Sequence, residues 1–239
     1  MTSRLLALLR VDLRAAVRDN EQLLLTIGIP AILLVFFSTV DVLPTGEGEP
    51  VDFLAPSVLA LAVLSMAFVR LSIGLGFDRG FGAIRRFAAT PLRVSEFWLA
   101  KLAATVILTV GQCVVLGGIA LVLGWSPSVH ISFLAGLALG ITTFVGLAFT
   151  VAGLTDGLKA LAIANGLYIV LLLVSGIVFE LSELPGWLQS VVKWLPSTAL
   201  AELFRTGLDG SAGPSWAWIT LLVWSAASPI LAVRFFRYS

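Results

Sequence analysis

Residues 78–101, DRGFGAIRRFAATPLRVSEFWLAK, lie between two long apolar runs and hold five of the chain's fifteen Lys and Arg residues: Arg79, Arg85, Arg86, Arg93 and Lys101. Before them comes FLAPSVLALAVLSMAFVRLSIGLGF, residues 53–77; after them an apolar stretch continues to Gly124. Either run is long enough to cross about 30 Å of hydrocarbon as a helix. The basic segment therefore reads as a connector between two membrane spans.

Composition extends this reading to the whole chain. Hydrophobic residues make up 59% of the 239 positions and charged residues 12%, against about 25% charged in soluble domains. The runs do not alternate polar and apolar residues as a barrel strand must. The expected fold is an all-α polytopic membrane protein, a single transmembrane domain over residues 1–239. Six spans are predicted, at Leu23–Val40, Phe53–Phe77, Phe97–Gly124, Ile131–Gly153, Ala160–Phe179 and Trp216–Phe235. An even number puts both termini on one side. Twelve of the fifteen basic residues fall on that side and only Lys193 and Arg205 on the other, with Arg70 inside the second span. Basic loops are retained in the cytoplasm, so both termini are expected there. No cleavable signal is evident, because Leu5–Leu9 is too short and is bracketed by Arg4 and Arg10.

Two segments outside the spans have helical patterning. In residues 3–19, Leu5, Leu9, Leu13 and Val17 form one row and Arg10, Arg14 and Arg18 another, the pattern of a helix lying on anionic membrane lipid. Residues 180–212 are too polar to span; Trp187, Leu188, Val191, Val192 and Leu195 recur at helical spacing between Pro185 and Pro196. That pattern predicts an outward-facing broken helical hairpin, re-entrant or interfacial, with Trp187 and Trp194 at headgroup depth. Trp98, Trp125, Trp216 and Trp218 sit at span ends, and anchoring accounts for them as well.

The chemistry that the chain lacks narrows its function. The six spans hold no Asp or Glu, and arginine does not deprotonate in proteins, which disfavours a proton-coupled carrier. One histidine and one cysteine, His130 and Cys113, are too few nitrogen and sulfur ligands for a zinc site, and no metal site is expected. No GxSxG or GxxxxGK[ST] motif occurs, so the chain is not read as an enzyme and has no P-loop to bind ATP. Nothing points to nucleic acid. Polar residues inside the spans are the candidates for lining a pathway: Arg70, Gln112, Asn165 and Tyr168. Snorkelling to the inner interface is the simpler reading of Arg70, and packing within the chain that of Gly136, Gly140, Ala148 and Ala152.

The connector carries more than positive charge. Phe81, Ile84 and Ala88 share a helical face beside Arg85 and Arg86, and Thr90-Pro91 stops that helix. A simple charged loop needs neither feature. Here the sequence resembles the membrane subunits of type-2 ATP-binding cassette (ABC) exporters, whose connector commonly reads like G-T-L-E-R-L-x-A-T-P-L with a lysine further on. Gly82, Ile84, Arg86, Phe87, Ala89, Thr90, Pro91, Leu92 and Lys101 match, whereas Gly80, Ala83 and Arg85 depart from it. The N-terminal helix, the six spans and LPGWLQSVVKWLPSTALAELFR at residues 184–205 extend the similarity over essentially the whole chain.

The resemblance implies a half-transporter of drug-efflux type in a bacterial inner membrane. It implies a second permease chain, identical or related, and two ABC ATPase subunits carrying the ATP and Mg that this chain does not bind. The connector, residues 78–96, would be the coupling element, with Arg79, Phe81, Ile84, Arg85, Arg86, Phe87, Thr90 and Pro91 facing the ATPase. A hydrophobic or amphipathic substrate fits the apolar interior. Export of a lipid-linked or polysaccharide substrate, and a non-transporting assembly or signalling subunit, are the alternatives.

Overall fold

A computed structural model describes residues 2–18, 24–40, 50–83, 94–177 and 181–236. In chain order it contains α1 (Thr2–Arg18), a π turn (Leu24–Gly28) running into α2 (Ile29–Thr39), α3 (Pro50–Gly80), α4 (Val94–Val122), α5 (Ile131–Leu154), α6 (Gly157–Val174), α7 (Gly186–Val192), α8 (Pro196–Leu208) and α9 (Ser215–Phe235). Among the described residues, β structure is confined to one bridge, Ser128–Asp209. Five helices, α3 to α6 and α9, are long and apolar enough to cross a membrane. The protein is an all-α polytopic membrane protein, as its hydropathy predicts.

The first expected span differs from the rest. Its apolar helix, Thr26–Thr39, is shorter and covers about 21 Å at 1.5 Å per residue. Pro30 sits in the first turn of α2, where its missing N–H costs nothing, and the π turn precedes it. Helix α3 runs past the expected end at Phe77, so Asp78 and Arg79 are helical; Phe81 and Gly82 close it, Gly82 with a φ of +70°. At the other side of the connector, α4 begins at Val94.

One end of the bundle carries Arg79, Lys101 and Arg234, the basic end; the opposite, hairpin end carries α7 and α8. Close backbone approach builds the centre. A Cβ on Gly146 of α5 would lie 2.5 Å from Ser228 Oγ and 2.7 Å from the Ser228 carbonyl carbon of α9. Only glycine permits α5 and α9 to pack that tightly. Gly136 and Gly140 face Leu203 and Leu200 of α8, so this small-residue stripe serves packing within the chain.

The hairpin is broken where its prolines stand. Pro185 caps α7, and Pro196 opens α8 at its first turn. Trp187 and Trp194 are exposed, whereas Leu200, Leu203 and Phe204 of α8 are fully buried. The second limb is therefore wedged against α3 and α5, and does not lie loosely at the surface. Trp98 and Trp125 also depart from the anchoring role. Trp98 stacks on Phe149 at a centroid distance of 4.0 Å and meets Phe236 edge-on, and Trp125 is buried.

Candidate functional site

The π turn Leu64–Arg70 widens α3 midway along its length, a departure often found at functional positions. It helps form a pocket of about 190 Å³ lined by Thr26, Ser65, Val69, Arg70, Ile73, Asn165 and Tyr168. Three of the four polar residues expected to line a pathway, Arg70, Asn165 and Tyr168, thus meet in one cavity. Asn165 and Tyr168 reach it because they stand one turn apart on α6, a helix exposing most of its surface.

Gln112 does not join them. It is buried on α4 and its Nε2 donates to Thr26 O at 2.8 Å. The Thr26 carbonyl lies in the π turn before α2, so this bond ties the shorter helix to α4. Among the described residues its Oε1 has no partner.

Arg70 also departs from the simpler reading. Its Nη1 lies 4.0 Å from Met66 Sδ, one turn toward the hairpin end. Helical side chains slope toward the helix N-terminus, and α3 starts at the hairpin end. The Nη1–Met66 contact therefore lies on the hairpin side of Arg70. It also lines a second pocket of about 530 Å³ that reaches Asp12, Asp78 and Lys101. Arg70 and Ile73 are common walls of the two pockets.

At the mouth of the larger pocket, Lys101 Nζ of α4 binds Asp12 Oδ1 of α1 at 2.9 Å and Asp78 Oδ2 of α3 at 3.4 Å. These are charge-assisted bonds, and the shorter is near the strong end of the range. Lys101 is 17% exposed and Asp12 23%, intermediate between a surface pair and a buried one. The cluster joins α1, α3 and α4 through side chains, in addition to the packing of α1 on α4. Asp12 went unnoticed in the sequence because the expected row ran through Leu5, Leu9, Leu13 and Val17. In the structure Val17 is exposed, and the packed face runs through Leu5, Leu9, Asp12, Leu13 and Ala16. An acid at helical spacing from Leu9 and Ala16, facing a lysine at a span end, was the available signal.

Of the residues expected to face an ATPase, two are described. Arg79 is half-buried and its Nη1 donates to Ala152 O at 3.2 Å and also to Gly153 O. Both carbonyls belong to the last turn of α5, where a cation opposes the helix dipole and satisfies orphan acceptors. Phe81 is 77% exposed and stacks on Phe77 at 5.8 Å. Ile84, Arg85, Arg86, Phe87, Thr90 and Pro91 lie outside the described residues.

The hairpin end has its own cationic tie. Arg205 of α8 donates from Nη2 to Gly176 O at 2.9 Å and reaches Ser57 Oγ at 3.4 Å; its guanidinium stands 4.6 Å from the Phe53 ring centroid. Nη1 meets Glu202 Oε2 at 3.4 Å. One side chain thereby links the start of α3 with the turn after α6, the two helices that form the smaller pocket. Among the described residues no cluster of His, Cys, Asp and Glu is arranged to hold a metal ion.

A family model described as ABC-2 type transporter matches residues 3–208. No curated protein matches the chain.

Proposed function

The chain belongs to the ABC-2 type transporter family, and we propose that this membrane-spanning permease subunit exports a hydrophobic or amphipathic small molecule, drawing its energy from a separate ABC ATPase. What supports the reading is the meeting of Arg70, Asn165 and Tyr168 at one pocket between membrane-spanning helices. Ionisable and strongly polar residues within a span are costly unless a pathway or partner uses them.

In this reading two permease chains flank the path. The residues 78–96 region meets the ATPase on the cytoplasmic side of a bacterial inner membrane, with Phe81 presented at its edge. Arg79 and the Lys101 cluster fix the ends of α3, α4 and α5 against α1, so a displacement of the connector reaches the pocket through rigid helices. At the far end, Arg205 holds α3 and the end of α6 together until the path opens outward. The chain supplies no catalytic group; ATP and Mg belong to the ATPase.

The test is transport by the permease reconstituted with its ATPase partner in sealed vesicles. ATP-dependent accumulation of an amphiphile is expected in inside-out vesicles, and none with the permease alone under a proton gradient. Proton-driven transport by the isolated permease would refute the proposal.

A further inference from the structure

Helix α6 is seated on the rest of the chain at two separate places. Its buried residues, Gly157, Ala160 and Ala164, all fall in its first half, and α6 packs chiefly on the Leu64–Gly80 part of α3. A Cβ on Gly76 of α3 would lie 2.5 Å from Ala160 Cβ, and one on Gly157 would lie 2.5 Å from Phe77 Cδ1. Small residues thus let α6 and α3 meet closely at the basic end. From Asn165 to Val174 no residue of α6 is buried; Tyr168, Leu171 and Leu172 are only partly covered by the core. Burial returns just past the helix, at Ser175, Gly176 and Ile177.

That second seat is largely polar. The hydroxyls of Ser175 and Ser197 are hydrogen-bonded to each other, and Ser197 stands in the first turn of α8. Each of these serines is 1% exposed. The Gly176 carbonyl accepts from Arg205 Nη2 at 2.9 Å, and the same nitrogen lies 3.4 Å from Ser57 Oγ of α3. Gly176 has a φ of +70°, a turn that glycine makes without strain. Ile177 supplies the apolar part. Hydroxyl, carbonyl and guanidinium groups exchange a protein partner for water at small net cost where water can reach them. The seat at the hairpin end is therefore the one that separates more readily.

The two seats make α6 a lever. Ser175 is fifteen residues from Ala160, about 22 Å along the helix, so a tilt of about 10° about the basic-end seat moves it by about 4 Å. That displacement parts the hydrogen bonds of the second seat. The fulcrum, Gly76 and Phe77, immediately precedes Asp78 and Arg79, where the connector begins. The smaller pocket, walled by Asn165 and Tyr168, lies along α6 between the seats.

Resting on the exporter reading above, we propose that Ser175 and Gly176, with Ser197 and Arg205, form the outward gate of the permease, which parts during ATP turnover as α6 tilts and lets substrate leave past the hairpin. Ser175 and Ser197 are positioning residues of this gate and do not bind substrate.

The experiment uses the full permease with its ATPase partner, on a Cys113→Ala background that removes the native thiol. In lipid nanodiscs, Ser175→Cys is labelled with a membrane-impermeant maleimide at rest and during ATP turnover. Labelling is expected to be slow at rest and about tenfold faster with ATP and Mg, its rate following the open fraction. A purely structural tie gives the same rate in both conditions, and that result would overturn the gate. Ser175→Cys combined with Ser197→Cys is then oxidised in proteoliposomes, and the cross-link is scored by loss of both thiols. ATP-dependent movement of rhodamine 6G, dodecanol and dodecanoate is compared with that of the Cys113→Ala parent. The cross-linked complex is expected to lose the transport that the parent shows and to regain it on reduction, with each single variant indifferent to oxidant. Thiols that fail to cross-link, or transport undiminished by the cross-link, would overturn the gate alone. A parent that moves none of the three probes refutes the exporter reading, and the gate falls with it.

Discussion

Replacing Lys101 by Gln removes the cation between Asp12 and Asp78 and leaves two carboxylates facing each other at the mouth of the larger pocket. A surface ion pair contributes about 0–1 kcal/mol, whereas breaking a buried one costs about 3–5 kcal/mol. Lys101 and Asp12, at 17% and 23% exposure and 2.9 Å apart, fall between these limits. Asp78, more exposed and at 3.4 Å, adds little. The expected loss is about 2 kcal/mol in the docking of α1 on α4, or about 30-fold in its open-to-closed ratio. Ala16, 1% exposed on the docked face of α1, reports that opening. In a Cys113→Ala background, alkylation of Ala16→Cys by a membrane-impermeant maleimide should be slow with Lys101 and about 30-fold faster with Lys101→Gln. Asp12→Asn should reproduce most of the acceleration, and adding it to Lys101→Gln should accelerate little further. An unchanged alkylation rate in Lys101→Gln would refute the claim that this cluster holds α1 in place.

Arg79→Gln withdraws donors from Ala152 and Gly153 at the end of α5 and should cost about 1–3 kcal/mol, read as a lower thermal midpoint of the purified permease; an unchanged midpoint would refute the capping role. Gly146→Val drives a side chain into the Ser228 backbone and should destabilise by about 3 kcal/mol or more, measured by the same melt, whereas a wild-type melt would contradict the close α5–α9 contact. Arg205→Ala loses the Gly176 bond and the Phe53 contact. It should loosen the hairpin by about 2 kcal/mol, seen as faster proteolysis after α6; protection equal to wild type would refute the tie.

The architecture was legible because continuous hydropathy and proline placement are local signals. Pro185 and Pro196 mark the starts of α7 and α8, and the expected spans after the first agree with α3 to α6 and α9 within about three residues, except that α6 ends at Val174, short of the expected Phe179. Asn165 and Tyr168 were legible as a pair because one helical turn puts them on one face. Tertiary contact hid the rest. Lys101 was recognisable as a charge at a span end, but its partners Asp12 and Asp78 lie on other helices. Rotation of α4 turns Gln112 toward the Thr26 carbonyl and away from the pocket. Arg70 is near enough to the basic end for snorkelling to be the simpler expectation, yet its side chain follows the helix slope toward Met66. Trp98 and Trp125 carry no local mark distinguishing an aromatic anchor from a packed one.

The central claim is that ATP hydrolysed by a partner subunit drives this permease through its connector. Its most direct measurement is ATP-dependent transport by the assembled complex with Arg85, Arg86 and Phe87 all replaced by Ala, scored beside co-purification of the ATPase. Wild type should transport only with ATP and the ATPase, and the triple variant should lose both transport and stable ATPase association while the permease melts normally. Undiminished association and transport in the triple variant would contradict the account.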